Sequence, residues 1–178
     1  MDSGPNFREG LSLSGIFKIL EVAIVFSAIM VHRYGANGSY LFFGTSTDQM
    51  SAKRQYGDEG MDVENIGNAA LVTFSVISSV LWIGYVMDSR FIIQRFFLEP
   101  FWNFLATCMF MGVGVKTLIV WAKAKSEDTQ ITSDSYYATY GAGLALGSLC
   151  VIASIVYSID FCISVSARNK LRADDYYY

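Results

Sequence analysis

The chain has little of what a soluble enzyme usually relies on. Its 178 residues include one histidine, His32, so the commonest acid–base side chain is nearly missing. The three cysteines, Cys108, Cys150 and Cys162, all lie in apolar stretches without C-x-x-C spacing. They read as small buried hydrophobes, not as a disulfide framework or a zinc module; acylation of Cys162 near a membrane surface is the less favoured alternative. Charged residues make up 16% of the chain, against about 25% in soluble domains. The net charge of −3 leaves no basic stripe for a nucleic acid. No nucleophile–base pair, phosphate loop or metal-ligand spacing occurs. No catalytic, cofactor-binding or metal-ligating residue is therefore assigned, and no enzyme is expected.

Long apolar runs, in contrast, are abundant. A bilayer core about 30 Å thick needs roughly 20 apolar helical residues, and four stretches meet that length: about 12–33, 66–87, 100–122 and 137–165. The second has no charge between Glu64 and Asp88. A soluble four-helix bundle would need a charged outer face there, so this is a membrane pattern. Met1 to Gly10 lacks a signal-peptide cleavage site, and the run that follows is too long for an h-region, so the first span is expected to be retained. Pro100 suits a first helical turn. Trp102, Trp121, Tyr34, Tyr136 and Tyr137 fall where headgroup belts are expected. The predicted fold is an all-α, four-helix transmembrane bundle: tail 1–11, a four-span domain over 12–165, tail 166–178.

Orientation follows from the basic residues flanking the spans. With both termini cytoplasmic, the inner set is Arg8, Lys18, Arg90, Arg95, Arg168, Lys170 and Arg172. The outer set is the smaller group Arg33, Lys53, Arg54, Lys123 and Lys125. Gly35 to Asn65 then becomes a polar outer loop, Lys123 to Tyr136 a short acidic one, and Asp88 to Glu99 an inner turn mixing arginines with apolar residues in the headgroup region. The tail from Arg168 onward is expected to be disordered. Asn37-Gly-Ser39 is a glycosylation sequon, but its closeness to the first span favours a simple turn.

Ionisable groups inside a bilayer are costly and each needs an account. Glu21 lies roughly 14 Å above the inner boundary and Lys116 about 24 Å above Pro100, at 1.5 Å per residue. A Glu21–Lys116 contact is one expectation; a neutral Glu21 bonded to a neighbouring Ser or Asn competes with it. Asp160 sits near the inner end of the fourth span, where solvation at the interface is the simpler account. A single deep carboxylate without broken helices points to packing or assembly more than to transport. In the fourth span, Gly143 and Gly147 form a Gly-x-x-x-Gly pair that permits close helix association, with packing inside the chain favoured over a dimer face.

Two segments carry a family resemblance. Gly15-Ile-Phe-Lys-Ile-Leu-Glu21-Val resembles the opening of MARVEL domains. Val156-Tyr157-Ser-Ile-Asp160 is similar to the Tyr-x-x-Asp of the last helix in the plasmolipin and chemokine-like-factor branch; the insect myoblast-fusion member is also compatible. The resemblance covers about Leu11 to Arg168. It implies a non-enzymatic protein of vesicle trafficking, membrane apposition or fusion, or cell-junction assembly, at the plasma membrane or on secretory and endosomal vesicles. It implies lipids and other membrane proteins, or a second copy through the helices, as partners, and it places Glu21 and Asp160 among recurrent polar positions. A channel or transporter subunit using Glu21 and Lys116, and an adhesion protein acting through the first outer loop, are the competing readings.

Overall fold

The computed structural model describes the backbone of residues 7–36, 38, 40–43, 49–87, 97–127 and 134–175, and within its helices the side chains of all but 9, 49–61, 124–127, 134–139 and 172–175. A short helix, α1 (Phe7–Gly10), precedes four long ones: α2 (Leu13–Tyr34), α3 (Gln49–Met87), α4 (Leu98–Glu127) and α5 (Asp134–Asp175). No strand occurs among the described residues. Each long helix contains an apolar segment long enough to cross a bilayer: Leu13–Tyr34, Asp62–Met87, Leu98–Lys123 and Tyr140–Leu171. Consecutive long helices run antiparallel. Lys18, early in α2, meets Asp160, late in α5, while His32 at the far end of α2 meets Glu64 near the start of the apolar part of α3. We call these the terminal end and the loop end of the bundle.

The helices reach further than polarity alone predicts. The expected loop Gly35 to Asn65 is helical from Gln49 onward, and the expected disordered tail is helical as far as Asp175. The first of these segments carries Gln, Met, Ala, Lys, Arg and Glu and the second Arg, Lys, Leu and Ala, all good helix formers. Adding residues to an existing helix avoids the cost of a new nucleus. The inner turn lies largely outside the described residues, as do Asn37 and Ser39 of the sequon and the side chains of Tyr136 and Tyr137.

The bundle buries charged side chains within an otherwise apolar core and exposes apolar ones on its outside. Ile16, Ile19, Leu20, Phe26, Val72, Val76, Val80, Ile83, Phe104, Val115, Ile119, Ile152, Ile155 and Ile159 are all exposed on its outside. Lys18, Glu21, Glu64, Glu99, Asn103 and Asp160 are buried. In water that arrangement would be inverted; in lipid it is the favourable one. Two of the three cysteines, Cys108 and Cys162, face outward, and only Cys150 is buried. Apolar surroundings here lie on both sides of the helices, so position in an apolar run does not decide which way a thiol points.

Local features fix the helix ends and spacings. Ser12 caps α2, its hydroxyl accepting the Gly15 N–H at 3.4 Å. The Trp82 indole N–H donates to the Gly10 carbonyl at 3.2 Å, which ties α1 to α3. Phe74, Phe110 and Tyr157 form an aromatic centre with ring centroids 5.6–5.9 Å apart. Gly143 and Gly147 face α4 within the same chain. A Cβ at Gly143 would overlap the Trp121 indole, and one at Gly147 would lie 2.8 Å from Leu118 Cγ. Trp121 is thus buried under α5 instead of sitting freely in a headgroup belt. Gly143→Ala is expected to lose about 1–3 kcal/mol through overpacking, read as a lower thermal midpoint. Gly141→Ala, whose Cβ would meet open space, is the control and should be neutral or better.

Candidate functional site

At the terminal end each long helix contributes two polar side chains at helical spacing. On α2, Lys18 and Glu21 are three residues apart and share a face. Ser78 and Tyr85, seven apart on α3, again share a face. On α4 they are Glu99 and Asn103, and on α5 Tyr157 and Asp160. Since three or four residues make about one turn and seven make two, each pair projects to one side of its helix, and the four sides converge.

Lys18 is the hub. Its ammonium lies 2.6 Å from Asp160 Oδ2, 3.1 Å from Glu21 Oε2 and 3.8 Å from Glu99 Oε1, and it donates to Asn103 Oδ1 at 2.8 Å. All three carboxyl side chains and the ammonium are fully buried. Asn103 Nδ2 donates to Asp160 Oδ2 at 2.8 Å, and the Ser78 hydroxyl to Glu21 Oε2 at 2.6 Å. Tyr157 and Ser78 share a hydrogen bond of 2.8 Å, and the Tyr85 hydroxyl donates to Glu99. One cation and three carboxyls would carry a net −2 if all were ionised, a charge that an interior of low dielectric holds only at great cost. Chemically the site is a multi-helix tie. Polar bonds made in lipid hold helices together where hydrophobic burial supplies no such force.

The residues singled out by sequence separate here. Glu21 and Asp160 come together, with Lys18 between them. Asp160 is not solvated at the interface, since its side chain is fully buried. Lys116 is elsewhere: it is exposed and lines a groove between α3 and α4 with Asp62, so Lys18 takes the place beside Glu21 that charge and depth suggest for Lys116. The positive-inside count puts Lys18 with the headgroup-facing cations, and Glu99 falls in the expected inner turn; both are instead buried. Asn103, Ser78 and Tyr85 carry no signal of their own in the sequence, whereas Tyr157 belongs to the Tyr-x-x-Asp segment of the family resemblance. The three-residue spacing of Lys18 and Glu21 is a further readable sign.

A second buried knot sits at the loop end. Glu64 Oε1 accepts from His32 Nε2 at 3.0 Å, Asn68 Nδ2 at 2.8 Å and the Tyr40 hydroxyl at 3.2 Å, while Oε2 accepts the Phe43 N–H at 2.9 Å. Leu41 N–H also returns to the His32 carbonyl at 2.8 Å. The segment after α2 is thereby folded back against α2 and α3, and Phe43 fills the space over Gly67. Burial holds the Tyr40 phenol above the usual tyrosine range, against the opposing effect of its bond to Asn68. Sequence places Glu64 among the acids of a polar outer loop; the fold buries it.

No family model matches the chain, and no solved structure matches it. Among curated proteins it is similar to Protein snakeskin of Bombyx mori, 23% identical over 155 residues, which cover 87% of this chain and 92% of that protein. With four bilayer-length apolar helices, charged side chains buried inside and an apolar exterior, the chain is a multi-pass integral membrane protein, similar over most of its length to Protein snakeskin.

Proposed function

We propose that this protein organises membranes at cell junctions without catalysis, working through lipid and helix contacts, with both termini cytoplasmic. The observation that carries this reading is the Lys18 hub. The buried ionisable groups of the terminal end bond to one another and join all four spans, as a structural tie requires. Among the roles that the MARVEL-like segments imply, junction assembly is supported by the likeness to Protein snakeskin along nearly the full length of both chains. Vesicle trafficking and fusion have no such support.

A tagged chain expressed in polarised epithelial cells is expected to concentrate at cell–cell contacts. Uniform surface staining, or retention on vesicles, would refute the junction reading. Reconstituted liposomes test the channel reading: no Glu21-dependent ion flux is expected, and a flux abolished by Glu21→Gln in a folded protein would replace our proposal. Deleting residues 45–60 tests the adhesion reading, and we expect junctional placement to persist.

A further inference from the structure

At the terminal end, Glu99 Oε2, Asp160 Oδ1, Ser164 Oγ and Arg168 Nε are buried atoms without a hydrogen-bond partner in the protein. Asp160, Ser164 and Arg168 follow one another at four-residue spacing on α5 and so share a face, about 12 Å long. That face meets the start of α4. The Arg168 guanidinium lies over the Phe97 ring, 5.0 Å from its centroid. The Ser164 hydroxyl turns toward Glu99 without completing a direct hydrogen bond. Glu99 and Asp160 meanwhile use their other oxygens on the Lys18 ammonium. Glu99, Asp160 and Ser164 are at most 1% exposed, whereas Arg168 is half-buried and the adjoining Asn169 and Lys170 are exposed. The four atoms therefore form a column that begins at the terminal surface and ends inside the tie. Deeper in the bundle, the apolar core with Phe74, Phe110 and Tyr157 closes it.

We infer that this column binds water, as a file that joins the buried carboxyls of the tie to the aqueous phase at the terminal end. Buried polar atoms that lack a protein partner are ordinarily satisfied by internal water. The chemistry of the four atoms selects that occupant. Carboxylate oxygens call for a donor, the Arg168 Nε–H calls for an acceptor, and the Ser164 hydroxyl can act as either. A cation cannot accept from Arg168, and an anion would meet two carboxylates. Among the described residues no group of acidic side chains is arranged to hold a metal ion. Water both donates and accepts, and a buried water typically makes about three hydrogen bonds. The tie is thus open to one aqueous phase and sealed from the other, so the file carries nothing across the bilayer. The column belongs to the interior of the tie and does not depend on the junction reading.

The test uses the whole protein in phosphatidylcholine liposomes and solid-state NMR, following the transfer of proton magnetisation from water to side-chain carbons. Transfer to the Glu99 and Asp160 carboxyl carbons should be at least threefold faster than to Ser154 Cβ. Ser154 is the dry reference: it is equally buried, lies about 15 Å deeper than Ser164 on the same helix, and its hydroxyl is satisfied by the Thr107 carbonyl at 2.9 Å. Ser164→Leu should plug the column, slowing transfer to both carboxyls at least threefold while leaving Arg168 Cζ unchanged. Ser164→Ala, which leaves the space open, should keep both carboxyls hydrated. Carboxyl transfer as slow as that of Ser154 in the unaltered protein would overturn the inference, whether or not the leucine variant folds. Fast transfer to Ser154, or carboxyl transfer that stays fast in a folded Ser164→Leu protein, would overturn access from the terminal end alone.

Discussion

Lys18→Met should destabilise the bundle by about 3–5 kcal/mol, the cost of removing one partner from a buried ionic network. The substitution keeps the length and apolar character of the stem, so the loss reports on the ammonium. Without it Asp160, Glu21 and Glu99 face one another in a fully buried space with no counter-charge. Asn103 would keep its bond to Asp160 but lose its role as acceptor for Lys18. The measurement is thermal or chemical unfolding in detergent micelles, followed by tryptophan fluorescence. Two comparisons separate the network from a general intolerance of change. Lys116→Met, on the outer surface, should shift the midpoint little. Lys18→Met combined with Asp160→Asn should recover part of the loss, because a cation and an anion leave together; an additive double variant would mean that the two residues do not form the pair described.

Glu64→Ala should free the segment between Gly35 and Phe43 from the bundle. One side chain there satisfies His32, Tyr40, Asn68 and the Phe43 amide. Its truncation leaves several donors without an acceptor, at roughly 1–3 kcal/mol for each that stays buried. The effect is expected to be local, because this knot joins only α2, α3 and the segment between them. Hydrogen exchange is therefore the suitable readout. The amides of Leu41 and Phe43 should lose protection by one to two orders of magnitude, while amides in the middle of α4 and α5 stay protected. Unchanged protection at Phe43 would mean that the apolar seat over Gly67 holds the segment without Glu64.

The four spans are legible in the sequence because the bilayer imposes a length and a composition on any helix that crosses it, and both are local properties. The polar tie is only half legible. Glu21 and Asp160 stand out since charge in an apolar run is conspicuous, and the MARVEL-like segments contain both. Lys18 misleads because a lysine six residues into a span looks like a snorkelling cation, and the positive-inside count has a ready place for it. Its true surroundings depend on the rotation of three other helices, which no spacing within α2 reveals. Glu64 is hidden in the same way, lost among acidic neighbours in the polar first half of α3. Hydropathy also misjudges Gln49 to Asn65 and the tail, where helix propensity and an existing helix to extend outweigh polarity.

The Lys18–Asp160 pair joins the first span to the last, and this bears on how the protein is made. Translation delivers α2 to the membrane long before α5 exists. Until then Lys18 has Glu21, then Ser78's helix, then Glu99 and Asn103, but not its nearest carboxylate. The ammonium lacks its shortest contact, and Asn103 the carboxylate it donates to, until the final helix docks. A chain that ends before α5 would leave the polar cluster without its fourth helix, so the tie closes only when synthesis is complete.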